Sequence, residues 1–89
     1  MKFAGNVRVF GNKVFGNKFF DVYFEKEFRV NNVSDIRMMY IEFEKEFKNK
    51  IIECIQQYVT VIKSYKISNP KDAFIFRTEH GNVYAVPML

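Results

Sequence analysis

The sequence predicts a small α+β domain in the element order ββαβββ, with one central helix covering an antiparallel sheet. Two observations support this prediction. Between residues 34 and 57, apolar residues recur every three or four positions, which is the spacing of one face of an α-helix. On both sides of this stretch, short segments alternate apolar and polar residues or are rich in β-branched and aromatic residues, as strands are. A chain of 89 residues has room for a single domain.

The N-terminal segment predicts a β-hairpin formed by residues 7–14 and 18–30. A tandem repeat, VFGNKVFGNK, contains two Gly-Asn pairs, and either pair can form a two-residue hairpin turn. We expect the turn at Gly16-Asn17, because this register places Arg8 opposite Glu25, a favourable cross-strand pair. Gly11 then lies inside the first strand, where a glycine often marks a bulge.

The second strand of this hairpin has one apolar and one charged face. Its even-numbered positions from Phe20 to Val30 are apolar and are interrupted only by Lys26. The opposite face holds Phe19, Asp21, Tyr23, Glu25, Glu27 and Arg29. This period of two predicts a strand with one buried and one solvent-exposed face.

The central helix is predicted from Ser34 to Gln57, with Asn32 or Ser34 as its N-cap. Its buried stripe is expected to contain Ile36, Tyr40, Phe43, Phe47, Ile51, Cys54 and Tyr58. Helical spacing can be followed as far as Lys66, which leaves a longer helix as the alternative. Such a helix would measure about 47 Å, whereas a compact domain of this size is only about 30 Å across. The β-branched run after Tyr58 also favours a strand, so we expect the helix to end near Gln57.

Two further rows of residues lie on the helix surface away from this stripe. The acidic row is Glu42, Glu46, Asn49 and Glu53, and the apolar row is Met38, Ile41 and Ile52. Acidic rows are commonly only solvated, but apolar side chains opposite the core favour an interface. The candidate partner-binding residues are therefore Met38, Ile41, Glu42, Glu46, Ile52 and Glu53, with a homodimer through the apolar row as an alternative.

Three further strands are predicted at residues 59–67, 73–79 and 83–88. Ser68-Asn69-Pro70-Lys71-Asp72 joins the first two, and His80-Gly81-Asn82 joins the others as a tight hairpin. Pro87 cannot donate a ladder hydrogen bond, so the last strand is expected at an edge of the sheet. An exposed edge is a place where a partner strand can add.

The residues that carry chemistry form no constellation typical of an enzyme. His80 lies in a predicted hairpin without a companion ligand, and Cys54, the single cysteine, lies on the predicted core stripe. Without a nucleophile, base and orienting group in a recognisable pattern, we expect a non-enzymatic protein with no metal or cofactor. One cysteine and the absence of a signal-like apolar N-terminal run predict a cytoplasmic protein that does not enter a membrane.

Residues 1–18 hold Lys2, Arg8, Lys13 and Lys18 without an acidic residue and carry a charge of +4; the remaining segments carry −1 (19–34), −1 (35–57) and +2 (58–89), which leaves the net charge of the chain at +4. A basic segment favours an anionic partner, so nucleic-acid binding by the N-terminal hairpin is the alternative function. Glu25 and Glu27 on the exposed face of the second strand oppose it, because they repel phosphates.

The hypothesis that the sequence favours is a small protein-binding module. Nearly half of the chain is Lys, Asn, Ile, Phe or Tyr, residues with AT-rich codons, which indicates an AT-rich genome. Small size and the lack of catalytic groups are typical of a phage- or mobile-element-encoded accessory protein. We therefore expect an inhibitor that occludes a host protein, including a host protein that handles nucleic acid.

Overall fold

The computed structural model describes residues 1–29, 35–67 and 73–88 and confirms the predicted α+β fold. Within these residues, five strands form one antiparallel sheet and a long helix packs on one of its faces. The elements are β1 (Lys2–Phe10), α1 (Asn12–Phe15), β2 (Phe19–Glu27), α2 (Ile36–Ile55), β3 (Val61–Ile67), β4 (Ala73–Thr78) and β5 (Gly81–Pro87). The expected helix caps Asn32 and Ser34 and the connection at residues 68–72 lie outside the described residues.

The strand order across the sheet is β2-β1-β5-β4-β3, and each neighbouring pair is antiparallel. Strand β5 therefore lies in the middle of the sheet, and the prediction that the last strand is an edge is wrong. Pro87 is tolerated because it is the last residue of β5, opposite Val7, beyond the point where β4 pairs with β5. The edges of the sheet are β2 and β3.

The connection between β1 and β2 also differs from the prediction. Strand β1 ends at Phe10, and the tandem repeat forms the helical turn α1 instead of a continuing strand and a two-residue turn. The amides of Val14 and Phe15 donate to the Gly11 carbonyl, and Gly16 ends the turn with a φ of 65°, a conformation that favours glycine. Both Gly-Asn pairs therefore take part in one connection.

This connection changes the register of the hairpin. Arg8 lies opposite Asp21, not Glu25, because the chain turns after Phe10. The physical gain is apolar packing: the Phe15 ring contacts the Phe20 ring edge-on, with centroids 5.4 Å apart. A two-residue turn at Gly16-Asn17 would instead keep Phe15 in a strand. The preference of Gly-Asn for such a turn is a local property, so it could not predict the contact between Phe15 and Phe20.

Helix α2 ends at Ile55, close to the predicted end and well before Lys66. Its buried residues are Met39, Phe43, Phe47, Ile51 and Ile55. The centre of the predicted stripe is therefore correct, but its ends are not, because Tyr40 and Tyr58 are 46% and 67% exposed. The observed stripe repeats every four residues, so it drifts around a helix that has 3.6 residues per turn. Tyr58 lies beyond the helix end.

The core lies between α2 and one face of the sheet. It contains Val7, Val9, Val22, Phe43, Phe47, Ile51, Ile55, Val59, Phe74, Phe76, Val83 and Ala85. Gly5 in β1 allows the close approach of the helix, because a Cβ at this position would lie 2.5 Å from Cε2 of Phe47. In the described part of the chain, no helix covers the opposite face of the sheet.

Candidate nucleic-acid interface

The uncovered face of the sheet carries a row of apolar side chains that crosses all five strands. In the strand register, Phe19 lies opposite Phe10, and Phe10 lies opposite Tyr84. It also pairs Tyr84 with Ile75, and Ile75 with Tyr65. Successive residues of a strand point to opposite faces, and directly opposite residues share a face. These five residues, named here the cross-strand row, therefore project from the side of the sheet opposite α2.

The four rings of the cross-strand row are accessible to solvent. Phe19, Tyr65, Phe10 and Tyr84 are 55%, 43%, 39% and 36% exposed. The Phe10 and Tyr84 rings stack on each other, with centroids 5.7 Å apart and planes at 27°. Single exposed apolar residues are ordinary, but a contiguous exposed row is typical of a binding surface.

Basic side chains follow one side of this row. A groove of about 810 Å³ is lined by Phe10, Gly11, Asn12, Lys13, Tyr65, Ile75, Arg77, Gly81, Asn82 and Tyr84, a set with two cations and no carboxylate. Beside it, Nζ of Lys63 lies 5.2 Å from the centroid of the Tyr65 ring. We call Lys13, Lys63 and Arg77 the basic rim. Of the ion pairs formed among the described residues, none involves a member of this rim.

The basic rim is ordered by the register of the sheet. Arg77 lies opposite both Lys63 and Asn82. Each of these three residues is two positions along its strand from a member of the cross-strand row, a distance of about 7 Å. Lys13 continues the line from α1, because it packs so closely on Gly81 that a Cβ there would lie 2.8 Å from Cβ of Lys13.

At the β2 end of the row, the nearest cation is already neutralised. Nε of Arg8 donates to Oδ1 of Asp21 at 3.0 Å, and a second guanidinium nitrogen donates to Oδ2 at 3.4 Å. The hydrogen bond with Asp21 raises the pKa of Arg8. The guanidinium carbon lies 4.0 Å from the centroid of the Phe19 ring, so Arg8 covers one face of that ring.

Further along β2, the uncovered face is acidic. The Tyr23 hydroxyl donates to Oε2 of Glu25 at 2.6 Å, and Nζ of Lys2 lies 2.9 Å from the same oxygen. The hydrogen bond from Tyr23, followed by the one from Lys2, lowers the pKa of Glu25. The same contact with Glu25 raises the pKa of Lys2.

The four cations predicted as a nucleic-acid site are therefore not equivalent. Lys2 and Arg8 are paired with carboxylates, Lys13 lines the groove, and Lys18 is exposed beside the start of β2. Sequence reasoning found the basic segment but missed the residues contributed by the C-terminal strands: Lys63, Tyr65, Arg77 and Tyr84. The sequence did contain one relevant signal, the alternation of apolar and polar positions. Arg77 and Tyr84 alternate with buried residues along β4 and β5, which places them on the exposed face of the sheet.

Only some of the predicted partner-binding residues on α2 are exposed. Met38 and Ile41 are 73% and 61% exposed, and Glu53 is exposed. Ile52 instead packs against the core, so the predicted apolar row is not continuous.

Two carboxylates of the predicted acidic row contact the sheet. Lys26, which interrupts the apolar face of β2, has its Nζ 3.5 Å from Oε1 of Glu42 and also contacts Glu46. The contact with Glu46 raises the pKa of Lys26. On the other edge, Lys66 of β3 pairs with Glu44. Lys26 thus has a structural role, and the row does not form an unpaired acidic surface.

The remaining residues that carry chemistry are dispersed. In the segments that the structure describes, no group of three or more His, Cys, Asp or Glu residues is arranged to hold a metal ion. His80 is exposed, with Nε2 3.8 Å from Oε1 of Glu79, and Cys54 packs partly buried against the core. None of the described helices is long and apolar enough to cross a membrane.

No family model, curated protein or solved structure matches the chain.

Proposed function

We propose that the protein binds single-stranded nucleic acid on the uncovered face of its sheet. The observation that carries this proposal is the part of the cross-strand row from Phe10 to Tyr65, whose exposed rings line the groove beside the basic rim. Proteins bind unpaired nucleotides by stacking bases on aromatic side chains and placing cations along the phosphates. In a duplex, the faces of the bases are stacked on each other, so a row of rings selects unpaired nucleotides.

The distribution of charge supports an anionic partner. The chain has a net charge of +4, and the carboxylates Asp21 and Glu25 on the uncovered face are engaged by Arg8 and Lys2. The groove beside the basic rim has no carboxylate in its lining. Ring stacking tolerates any base, because each base has a π-face, so binding is expected without strong sequence preference.

The proposal is tested by fluorescence anisotropy with labelled oligothymidylate, oligouridylate and a duplex of equal length. Both single strands are expected to bind, the duplex more weakly. Affinity should fall as salt rises from about 50 to about 200 mM, because bound counterions are released. Absence of binding to both single strands at the lower salt concentration would overturn the proposal.

A matched pair of charge reversals locates the interface. Lys63→Glu changes the basic rim, whereas Lys50→Glu makes the same change of charge on an exposed position of α2. We expect Lys63→Glu to weaken binding and Lys50→Glu to have a much smaller effect, since only the former lies beside the cross-strand row. Equal losses would show a delocalised charge effect instead of a site.

A protein partner is the second candidate, supported by the exposure of Met38 and Ile41 on α2. In this proposal the protein is a non-enzymatic inhibitor that occludes a basic site on its partner, with Glu53 supplying electrostatic attraction. The surface is separate from the cross-strand row. Replacing Met38 and Ile41 together by Ser should therefore abolish partner capture and leave oligonucleotide binding unchanged; unchanged capture would remove this surface from consideration.

A further inference from the structure

The geometry points to a short nucleotide site that begins at Phe10 and ends at Tyr65, with the phosphates along the basic rim and with β2 excluded. This inference rests on the proposed function, because it assigns the path of the strand over the same face. The site crosses β1, β5, β4 and β3, which are neighbours in that order in the sheet. Three inter-strand spacings separate the first of these strands from the last, a distance of about 14 Å. A four-stranded sheet of comparable width stacks two or three bases, so we assign about two to three nucleotides to this site.

A cation held in place, and not solvent exposure, sets the β1 end of the site, because Phe19 is the most exposed ring of the row. The Arg8 guanidinium lies 4.0 Å from the centre of the Phe19 ring and is held there by two hydrogen bonds to Asp21. A base can occupy that ring face only if Arg8 leaves both the ring and the carboxylate. Phe10 and Tyr84 contact each other at an offset and remain partly exposed, so they are the first rings available for stacking.

Charge also excludes β2 from the path. The uncovered face of β2 carries Asp21, Glu25 and Glu27, the cross-strand neighbours of Arg8, Ala4 and Lys2. Asp21 and Glu25 are already paired with Arg8 and Lys2, whereas Glu27 takes part in none of the ion pairs among the described residues and would repel a phosphate drawn across this strand. The side chains of Lys2 and Arg8 are already paired and add no uncompensated positive charge.

The path of the phosphates follows from the register. Lys13, Asn82, Arg77 and Lys63 form a line parallel to the cross-strand row and on one side of it. On the other side of the row, the corresponding line of Val86 and Arg8 offers only a cation that is paired with Asp21. Bases stacked on Phe10, Tyr84 and Tyr65 therefore leave their phosphates over the basic rim.

Site size and salt dependence provide the first test. Oligothymidylates of two to about eight nucleotides are titrated by anisotropy, with oligouridylates of the same lengths as the RNA arm. Affinity should rise up to about three nucleotides and then change little. Three cations on a single strand predict a slope of about −2 for log K against log salt concentration. A continuing rise to the longest oligonucleotide, or a slope beyond about −3, would overturn the assigned path.

A matched ring pair provides the second test. Phe10→Leu and Phe19→Leu remove neighbouring rings while keeping apolar bulk, and circular dichroism establishes that each variant is folded. Phe10→Leu should lose about tenfold or more in affinity, whereas Phe19→Leu should lose less than about threefold. Equal losses would overturn the exclusion of β2 but leave the proposed function in place. Failure of every oligonucleotide to bind the wild-type protein would instead overturn both.

Discussion

The Phe10 ring stacks on the Tyr84 ring across the junction of β1 and β5, with centroids 5.7 Å apart. This contact joins the N-terminal hairpin to the three C-terminal strands on the face that α2 leaves uncovered. Both rings keep more than a third of their surface exposed. The junction therefore makes one continuous aromatic surface from two parts of the chain that are far apart in sequence.

Tyr84→Thr should separate binding from stability. Threonine is a good strand former and Tyr84 is partly exposed, so we expect the variant to stay folded, with the loss of the Phe10–Tyr84 ring stack lowering the free energy of unfolding by about 1–2 kcal/mol. Affinity for single strands should fall about tenfold or more, because base–ring stacking contributes about 1–3 kcal/mol. Urea denaturation and anisotropy on the same preparations measure both quantities. Tyr23→Thr, at the acidic end of the face, is the control and should retain affinity; an equal loss there would contradict the assignment.

Gly5→Ala should destabilise the fold through its contact with the helix. An added Cβ would lie 2.5 Å from Cε2 of Phe47, a buried ring that would have to shift. Overpacking of this kind costs about 1–3 kcal/mol, although alanine is otherwise no worse than glycine in a strand.

A double-mutant cycle identifies the cause of that loss. Phe47→Leu shortens the facing side chain, so Gly5→Ala should cost less when it is combined with Phe47→Leu, with a coupling of about 0.5–3 kcal/mol. Urea unfolding of the wild-type protein, the two single variants and the double variant gives the coupling directly. Strict additivity would show that Gly5 is required for some reason other than its approach to Phe47.

Two isoleucines of α2 provide a matched test of the buried stripe. Ile51 is fully buried, whereas Ile41 is 61% exposed on the same helix. Ile→Val has the same small effect on helix propensity at both positions, so any difference reports packing. Ile51→Val should reduce the free energy of unfolding by about 0.5–1.5 kcal/mol, and Ile41→Val by much less. A loss at Ile41 equal to or larger than that at Ile51 would contradict the assignment of the buried stripe.

Acid should remove part of the stability of the first hairpin. Hydrogen bonds from Tyr23 and Lys2 lower the pKa of Glu25 in the folded state. A lowered pKa means that the unfolded chain binds the proton more readily, so the stabilisation is present at neutral pH. It is lost as the pH falls below the unfolded value and through the lowered folded one.

Glu25→Gln tests this linkage. The variant should lose a small amount of stability at about pH 7 and show a weaker decline than the wild-type protein towards about pH 3. Glu53→Gln, on an exposed position of α2, removes a carboxylate without these partners and serves as the control. Parallel pH profiles for the wild-type protein and Glu25→Gln would show that the network does not stabilise the fold.

The parts of the fold that sequence reasoning predicted correctly depend on local periodicity. The spacing of Phe43, Phe47 and Ile51 fixes one face of α2, and alternation in β2 identifies its buried side. The β1–β2 connection was predicted wrongly, because a Gly-Asn turn was weighed without the packing of Phe15 against Phe20. The prediction that the last strand is an edge, made from Pro87, was wrong for a similar reason. A proline is tolerated in this central strand because the pairing between β4 and β5 ends before Pro87.

The candidate site was largely invisible from the sequence for a related reason. Aromatic residues near Phe10 and near Tyr84 are visible in the sequence, but their adjacency requires β1 to pair with β5. That pairing joins the two ends of the chain and has no local signal. The sequence therefore indicated a basic N-terminal segment, whereas the structure places Lys13 beside Arg77 in one groove.

Chemical-shift mapping of the isotope-labelled protein with a thymidylate trimer tests the central claim most directly. The account predicts that resonances of Phe10, Tyr65, Arg77 and Tyr84 move in a saturable manner, while those along the outer surface of α2 stay in place. Shifts concentrated at Met38 and Ile41, or no shifts at any oligonucleotide concentration, would contradict it.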